Sequence, residues 1–324
     1  MHLEGCACCY TFLGMDETED LRALRTEAQN PASAGLDTKS ALEIARIINS
    51  EDAKVAAAVE RALPQIAEAI DAVAKTIAIG GRLIYAGAGT SGRIAALDAA
   101  ECPPTFNTSP DTVQFIMAGG VEALWKPYEP AEDSDDSGRR EMAARNPGPR
   151  DVVAGIAASG RTPFTLAAVN YARGRGARTI AIVCNQHTPL GRAADIEIVV
   201  EVGPEVLTGS TRMKAGTAQK LICNLITTGA MARAGYIYGN LMVNVHPRNE
   251  KLVARAVTIL ENAAQTDSAR AAAALKESGN SVPVALIMLK AGVGKDEAKR
   301  QLDLARGNVR QAIEAAIASG GRRG

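Results

Sequence analysis

From Val55 to Ile77 apolar residues return every three or four positions. Val55, Val59, Leu63, Ile66, Ile70, Val73 and Ile77 therefore share one stripe of a long helix. Helical patterning begins at Ser40; Pro64 interrupts the stripe and predicts a kink or break, and Gly80-Gly81 ends it. The preceding stretch, residues 15–40, is polar and turn-rich (Asn30, Pro31, Gly35) and reads as an extended arm. Beyond Gly81 the period changes. Residues 82–86, 113–117, 151–157, 179–183 and 196–202 are short, nearly continuous runs of Val, Ile and Ala separated by helical stretches. Strands buried on both faces and joined by helical crossovers read this way, so the fold class is α/β: a doubly wound, mostly parallel five-stranded sheet flanked by helices. Residues 210–235 form another long helix. After residues 249–264, also helical, short Ala-rich segments at 268–276, 282–289, 295–304 and 309–317 predict a small C-terminal helical bundle.

Composition narrows the function classes. The chain has 324 residues, 47% hydrophobic, with 36 basic and 36 acidic side chains and only 3% aromatics. A zero balance without stacking rings argues against a nucleic-acid partner. No apolar run is long enough to span a membrane, and the N-terminus lacks the pattern of a secretory signal. Cys6, Cys8 and Cys9 crowd one end while Cys102, Cys184 and Cys223 are scattered, which predicts a cytoplasmic chain without a disulfide framework. The Cys-x-Cys-Cys cluster has no second ligand pair, so no metal site is expected. Residues 1–14 read as a disordered extension, with Met15 a candidate true start.

Two strand-to-helix turns carry the candidate chemistry. One is Gly87-Ala88-Gly89-Thr90-Ser91-Gly92-Arg93, the other Ser159-Gly160-Arg161-Thr162. Each ends a strand and opens a helix, so unpaired backbone N–H groups and hydroxyls point into one crevice, a setting suited to phosphate. The first turn also matches G-x-G-x-x-G. A dinucleotide reading requires an acid at the end of the second strand, where Met117-Ala118-Gly119-Gly120 stands instead; a purely structural tight turn is the other alternative. A third segment, Thr208-Gly209-Ser210-Thr211-Arg212-Met213-Lys214, opens the long helix that continues to Lys220. Ser and Thr stand at capping positions and cations in the first turn, which an anion could compensate; an ordinary capped core helix is the alternative.

Two carboxylates stand apart. Glu101 precedes Cys102-Pro103-Pro104, which predicts that its helix ends there and that the negative helix end favours the protonated acid. An exposed helix-end Glu is the plain alternative. Glu132 lies in Glu129-Pro130-Ala131-Glu132-Asp133-Ser134-Asp135-Asp136, and on sequence physics alone these acids read best as complements to a helix N-terminus.

The motifs together resemble the N-acetylmuramic acid 6-phosphate etherases of the sugar isomerase (SIS) superfamily. The resemblance rests on Thr26-Glu27 with Asn30-Pro31, on residues 87–93, on Asp98 with Glu101-Cys102-Pro103-Pro104, and on Ala131-Glu132-Asp133-Ser134. It continues through residues 157–163, Gly203-Pro204-Glu205-Val206, residues 208–220 and Gly239-Asn240-Leu241-Met242-Val243. Asn244 departs from the Asp that many members carry. The resemblance runs from about Leu24 to the C-terminus and implies an extension at 1–23, expected to be disordered, a catalytic domain at 24–264 and an appendage at 265–324. It implies a homodimer with the site near the interface and no cofactor. It further implies elimination and hydration at the lactyl ether of a phosphosugar, with Glu101 and Glu132 as acid/base groups. Substrate and phosphate contacts are implied at Gly89, Thr90, Ser91, Gly92, Arg93, Ser159, Gly160, Arg161, Thr162, Ser210, Thr211, Lys214 and Lys220. A non-catalytic sugar-phosphate-binding regulator and an aldose–ketose isomerase are the competing readings on the same fold.

Overall fold

A computed structural model describes residues 24–320, apart from Pro127, His246 and Arg248. The expected extension at 1–23, the candidate start at Met15 and the Cys6, Cys8 and Cys9 cluster lie outside the described residues.

Ser40 starts helix α1 (Ala41–Glu60) through a capping box, its main-chain N–H donating to the Glu43 carboxylate at 2.8 Å. The long apolar stripe breaks rather than kinks. α1 ends at Glu60 and α2 (Leu63–Ala78) restarts with Pro64 in its first turn, where the missing N–H costs no helical bond. Ile66, Ala69, Val73 and Ile77 carry the stripe into the core.

Five parallel strands follow: β1 (Leu83–Gly87), β2 (Val113–Met117), β3 (Val152–Ile156), β4 (Arg178–Val183) and β5 (Ile196–Val199), in the order β2-β1-β3-β4-β5. Alternation along each strand serves two layers. Leu83, Tyr85, Ile180 and Ile182 face a core shared with α2, with α3 (Gly89–Phe106) and with α7 (Lys214–Ala234). Ile84, Ala86, Val153 and Val183 face the opposite layer of α4 (Asp135–Arg145), α5 (Pro163–Gly174) and α6 (Pro189–Ala193). The sheet is thus buried on both sides, which is why its strands read as unbroken apolar runs.

The last five helices, α8 (Glu250–Ala264), α9 (Ser268–Glu277), α10 (Val282–Ala291), α11 (Lys295–Leu304) and α12 (Val309–Gly320), enclose a separate core. The buried face of α8 (Ala256, Ile259, Leu260, Ala263) joins this second core rather than the sheet layers. Arg310 stacks on the Tyr238 ring at 4.9 Å, tying α12 to the segment that leads into the bundle.

Candidate active site

Gly87 at the end of β1 is level with Met117 of β2 and Ile156 of β3. The helices after β1 and β3 leave on opposite faces of the sheet, so their entry turns part above these strand ends and open a crevice at the topological switch point. In the first turn Gly92 N donates to Ala88 O at 3.1 Å. The N–H groups of Gly89, Thr90 and Ser91 precede that bond and have no acceptor within the helix. Gly92 sits behind the turn, where a methyl group would lie 2.7 Å from the Met117 side chain. In the second turn Gly160 has φ +67°, and a methyl there would lie 2.4 Å from Thr188. The Arg161 main-chain N–H donates to Ser159 Oγ at 3.2 Å, and its guanidinium donates to Ser159 O at 3.0 Å. Thr162 occupies the N-cap position of α5 without a side-chain capping bond.

Both turns line one cleft of about 570 Å³ together with Glu132. Glu132 is not in a helical first turn. It follows a 3-10 turn, Glu129–Ala131, while Asp135 and Asp136 occupy the first turn of α4 and Ser134 caps it. Its carbonyl accepts Phe164 N at 3.0 Å, fastening it to the start of α5. Its carboxylate rests on the phosphate-type turn: a methyl group at Gly89 would lie 2.9 Å from Glu132 Oε1. The reading of these acids as dipole complements therefore holds for Asp135 and Asp136 and is corrected for Glu132.

Of the residues expected at the site, Gly89, Thr90, Ser91, Arg93, Ser159, Thr162, Thr211 and Glu132 line this cleft. Arg93 also braces its wall, donating to Ala123 O at 2.8 Å and Leu124 O at 3.0 Å. Arg161 lines an adjoining cleft of about 780 Å³ that shares Glu27, Glu132, Ser159 and Thr162 with the first. Glu27 was not expected there. It comes from the polar arm, where no periodicity marks a buried or functional face, and its carboxylate lies beside Gly209.

Ser210, Lys214, Lys220 and Glu101 do not line either cleft. Lys214 is fully enclosed, and its ammonium is 2.7 Å from Glu51, which also accepts Asn30 Nδ2 at 3.0 Å. Ser210 and Thr211 do not cap α7, which starts at Lys214. The buried Glu205 carboxylate caps it, accepting Lys214 N at 3.0 Å and Ala215 N at 2.9 Å. The anion that the helix start requires is thus the protein's own. Burial raises the Glu205 carboxyl against the lowering effect of those two bonds. Burial would raise Glu51 too, but Lys214, Lys54 and Asn30 outweigh it and hold it at about 2. The segment instead braces the cleft: Gly216 packs against Thr90, and Gln219 Oε1 accepts the Ser91 hydroxyl at 2.9 Å.

α3 does not stop at Glu101. It runs through Pro103 and Pro104 to Phe106, and Asn107, left-handed at φ 57°, closes it by donating to Pro103 O at 2.8 Å. The prolines cost the bonds to Ala99 O and Ala100 O. Glu101 is consequently inside the helix and exposed to solvent. Twelve residues of helix, roughly 18 Å at 1.5 Å each, separate it from Gly89. Beneath it Asp98 is buried, accepting Tyr85 Oη at 3.0 Å, Asn224 Nδ2 at 2.8 Å and Thr227 Oγ1 at 3.2 Å. Burial, foremost, raises its carboxyl. Cys102, Cys184 and Cys223 are free and buried; burial pushes the Cys102 and Cys184 thiols up to about 12, which removes both as thiolate nucleophiles.

The class is that of SIS-domain proteins: a SIS domain model matches residues 129–229, and a model of the glucokinase regulatory protein N-terminal SIS domain matches residues 65–173. A phosphoheptose isomerase from Francisella tularensis aligns over 59% of this chain and all of its own, at 20% identity and a TM-score of 0.43. An N-acetylmuramic acid 6-phosphate etherase from Edwardsiella ictaluri is 49% identical over 91% of this chain and 98% of its own length. Another, from Clostridium beijerinckii, is 45% identical over 92% and 98%. The chain belongs to the N-acetylmuramic acid 6-phosphate etherase family and is an enzyme. Among the described residues no helix is long and apolar enough to cross a membrane.

Proposed function

We propose that this chain cleaves the D-lactyl ether of N-acetylmuramic acid 6-phosphate with water, releasing D-lactate and N-acetylglucosamine 6-phosphate, in cytoplasmic recycling of cell-wall sugar. The observation that carries the reading is the placement of Glu132: a half-buried carboxylate resting on a turn built to hold phosphate, at the crevice where α/β sheets take their ligands. The phosphate binds the N–H groups of Gly89, Thr90 and Ser91 and the Thr90 hydroxyl, while the Ser91 hydroxyl is committed to Gln219 Oε1. With the sugar opened, the aldehyde at C1 acidifies the C2 proton. A base removes that proton, the C3–O bond breaks, and an acid protonates the departing lactate oxygen; water then adds across the C2–C3 double bond. Glu132 serves one of these proton transfers and Glu101 the other.

Glu101 does not meet Glu132 within one chain, because twelve residues of α3, roughly 18 Å of rise, separate it from Gly89, against which the Glu132 carboxylate rests. Leu97, 51% exposed, lies one turn from Glu101 on the same side of α3, and Leu225, 37% exposed, is on neighbouring α7. A second copy packed on this apolar face, its Glu101 directed into the first copy's cleft, supplies the missing acid in a homodimer. The deciding experiment follows lactate release from N-acetylmuramic acid 6-phosphate in heavy water. Deuterium at C2 of the product is expected; product lacking it would eliminate the proton-abstraction step, and no lactate at all would leave a sugar-phosphate regulator.

A further inference from the structure

Asp98 is a buried carboxylate that the reaction proposed above does not use. It sits on α3 one turn before Glu101 and is 4% exposed. Tyr85 of β1 donates to one of its oxygens at 3.0 Å, and Asn224 of α7 donates to the other at 2.8 Å. Thr227 Oγ1, 3.2 Å from that second oxygen, shares its proton between Asp98 and Cys223 O. Burial disfavours a charged carboxylate, and an apolar side chain would fill a helix seam at lower cost. What the carboxylate adds is direction, because its bonds to a strand and a second helix fix where this turn of α3 sits.

That turn is short of main-chain bonds. Pro103 and Pro104 lack the N–H groups that would donate to Ala99 O and Ala100 O. Glu101, exposed on the same turn, takes its position from the helix backbone. Leu97 and Leu225, which mark the face assigned above to a second copy, are chain neighbours of Asp98 and Asn224. The Asp98–Asn224 bond therefore joins the two helices that form this face. The other end of α3 is held independently, by the Ser91 hydroxyl on Gln219 Oε1 and by Arg93 on Ala123 O and Leu124 O. Loosening Asp98 should thus disturb Glu101 and spare the cleft.

We propose that Asp98 is a positioning residue for Glu101: by locking α3 to α7 and β1 it aims that carboxylate into the neighbouring copy's cleft. The inference rests on the reading that Glu101 serves a second copy.

The test uses Asp98→Asn, which keeps the shape and gives up one acceptor oxygen. In that variant kcat for lactate release is expected to fall on the order of tenfold to 100-fold, the scale of a misplaced reacting group. KM, and the inhibition constant of N-acetylglucosamine 6-phosphate, should change by less than about threefold. Subunit mixing supplies the readout that a purely stabilising role would not move. Reassembled with Glu132→Gln, Asp98→Asn should recover about a quarter of wild-type activity, because its own cleft is intact and the partner's Glu101 is correctly aimed. Reassembled with Glu101→Gln, it should gain nothing. Asn224 is half-buried, so Asn224→Ala breaks the same bond from the helix side; it should behave alike and replaces Asp98→Asn if that chain does not fold. An unchanged kcat in both variants, parallel weakening of N-acetylglucosamine 6-phosphate, or recovery with Glu101→Gln overturns the proposal. Mixing Glu101→Gln with Glu132→Gln is the control. No activity there sinks the shared site and the role of Asp98 with it, whereas activity there without recovery of Asp98→Asn by Glu132→Gln overturns the present inference alone.

Discussion

The ammonium of Lys214 lies 2.7 Å from a carboxylate oxygen of Glu51, with the two side chains only 2% and 5% exposed. Asn30 from the arm and Glu205 from the loop before α7 join the same cluster, so four distant segments meet at one buried charge pair. Removing one member leaves the other charged and enclosed. Glu51→Ala is expected to destabilise the fold by about 3–5 kcal/mol, read as a lowered urea midpoint, whereas Glu51→Leu combined with Lys214→Met should recover most of that loss.

The same pair sets an acid limit. Glu51 is held at about 2, below its ordinary 4.5, so its stabilising contribution is complete above about pH 4.5 and is lost as pH falls toward 2. The contribution is on the order of 3 kcal/mol. Glu205, raised by burial, runs the other way, its ionised form being the one the fold disfavours. Urea midpoints measured from pH 6 down to pH 2 should fall steeply below about pH 4.5, and Glu51→Gln should flatten that slope. An unchanged slope in the variant would assign the acid limit to other groups.

Glu132→Gln and Glu101→Gln should each lower kcat by at least about 100-fold, the scale of a lost proton transfer, with normal melting temperatures. If Glu101 serves the partner's cleft, mixing and reassembling the two inactive variants restores activity. Random pairing makes half the dimers mixed, each with one intact site, so about a quarter of wild-type activity returns. Two glutamates acting within one chain would give none.

Thr90→Val removes a hydroxyl that lines the cleft. KM should rise about tenfold to hundredfold, the range for a hydrogen bond to a charged group, with kcat little changed. A fall in kcat at constant KM would place Thr90 with the reacting atoms instead.

Strands and the two turns that line the cleft were legible because each is a local pattern: an apolar run ending in glycine and hydroxyl residues, with a helix after it. Residues 196–202 read as strand, yet pairing stops at Val199; Val200 and Val202 are buried without belonging to a strand, and apolar content alone does not separate the two. Pro103-Pro104 read as a stop, but the helix closes three residues later on Asn107, a left-handed cap that composition does not announce. Lys214 read as an anion ligand because its counter-charge, Glu51, is 163 positions away. Glu27 was hidden for a similar reason, since only the fold brings the arm to Gly209. Local signals located the two turns of the cleft; the partners that arrive from distant segments did not show in one dimension.

Position 89 meets two demands that are independent in most proteins. Its φ of +50° shapes the turn, and its bare α-carbon leaves the space that the Glu132 carboxylate fills. Randomising it should return glycine alone, because any larger residue both strains the main chain and evicts the acid. Gly203 and Gly239 also have positive φ but border open space, so a substitution there meets main-chain strain alone; Gly120, at φ 67° and ψ −161°, sits in a region that only glycine adopts. An inhibitor built to wedge against position 89 would meet a surface from which the enzyme has no easy mutational escape.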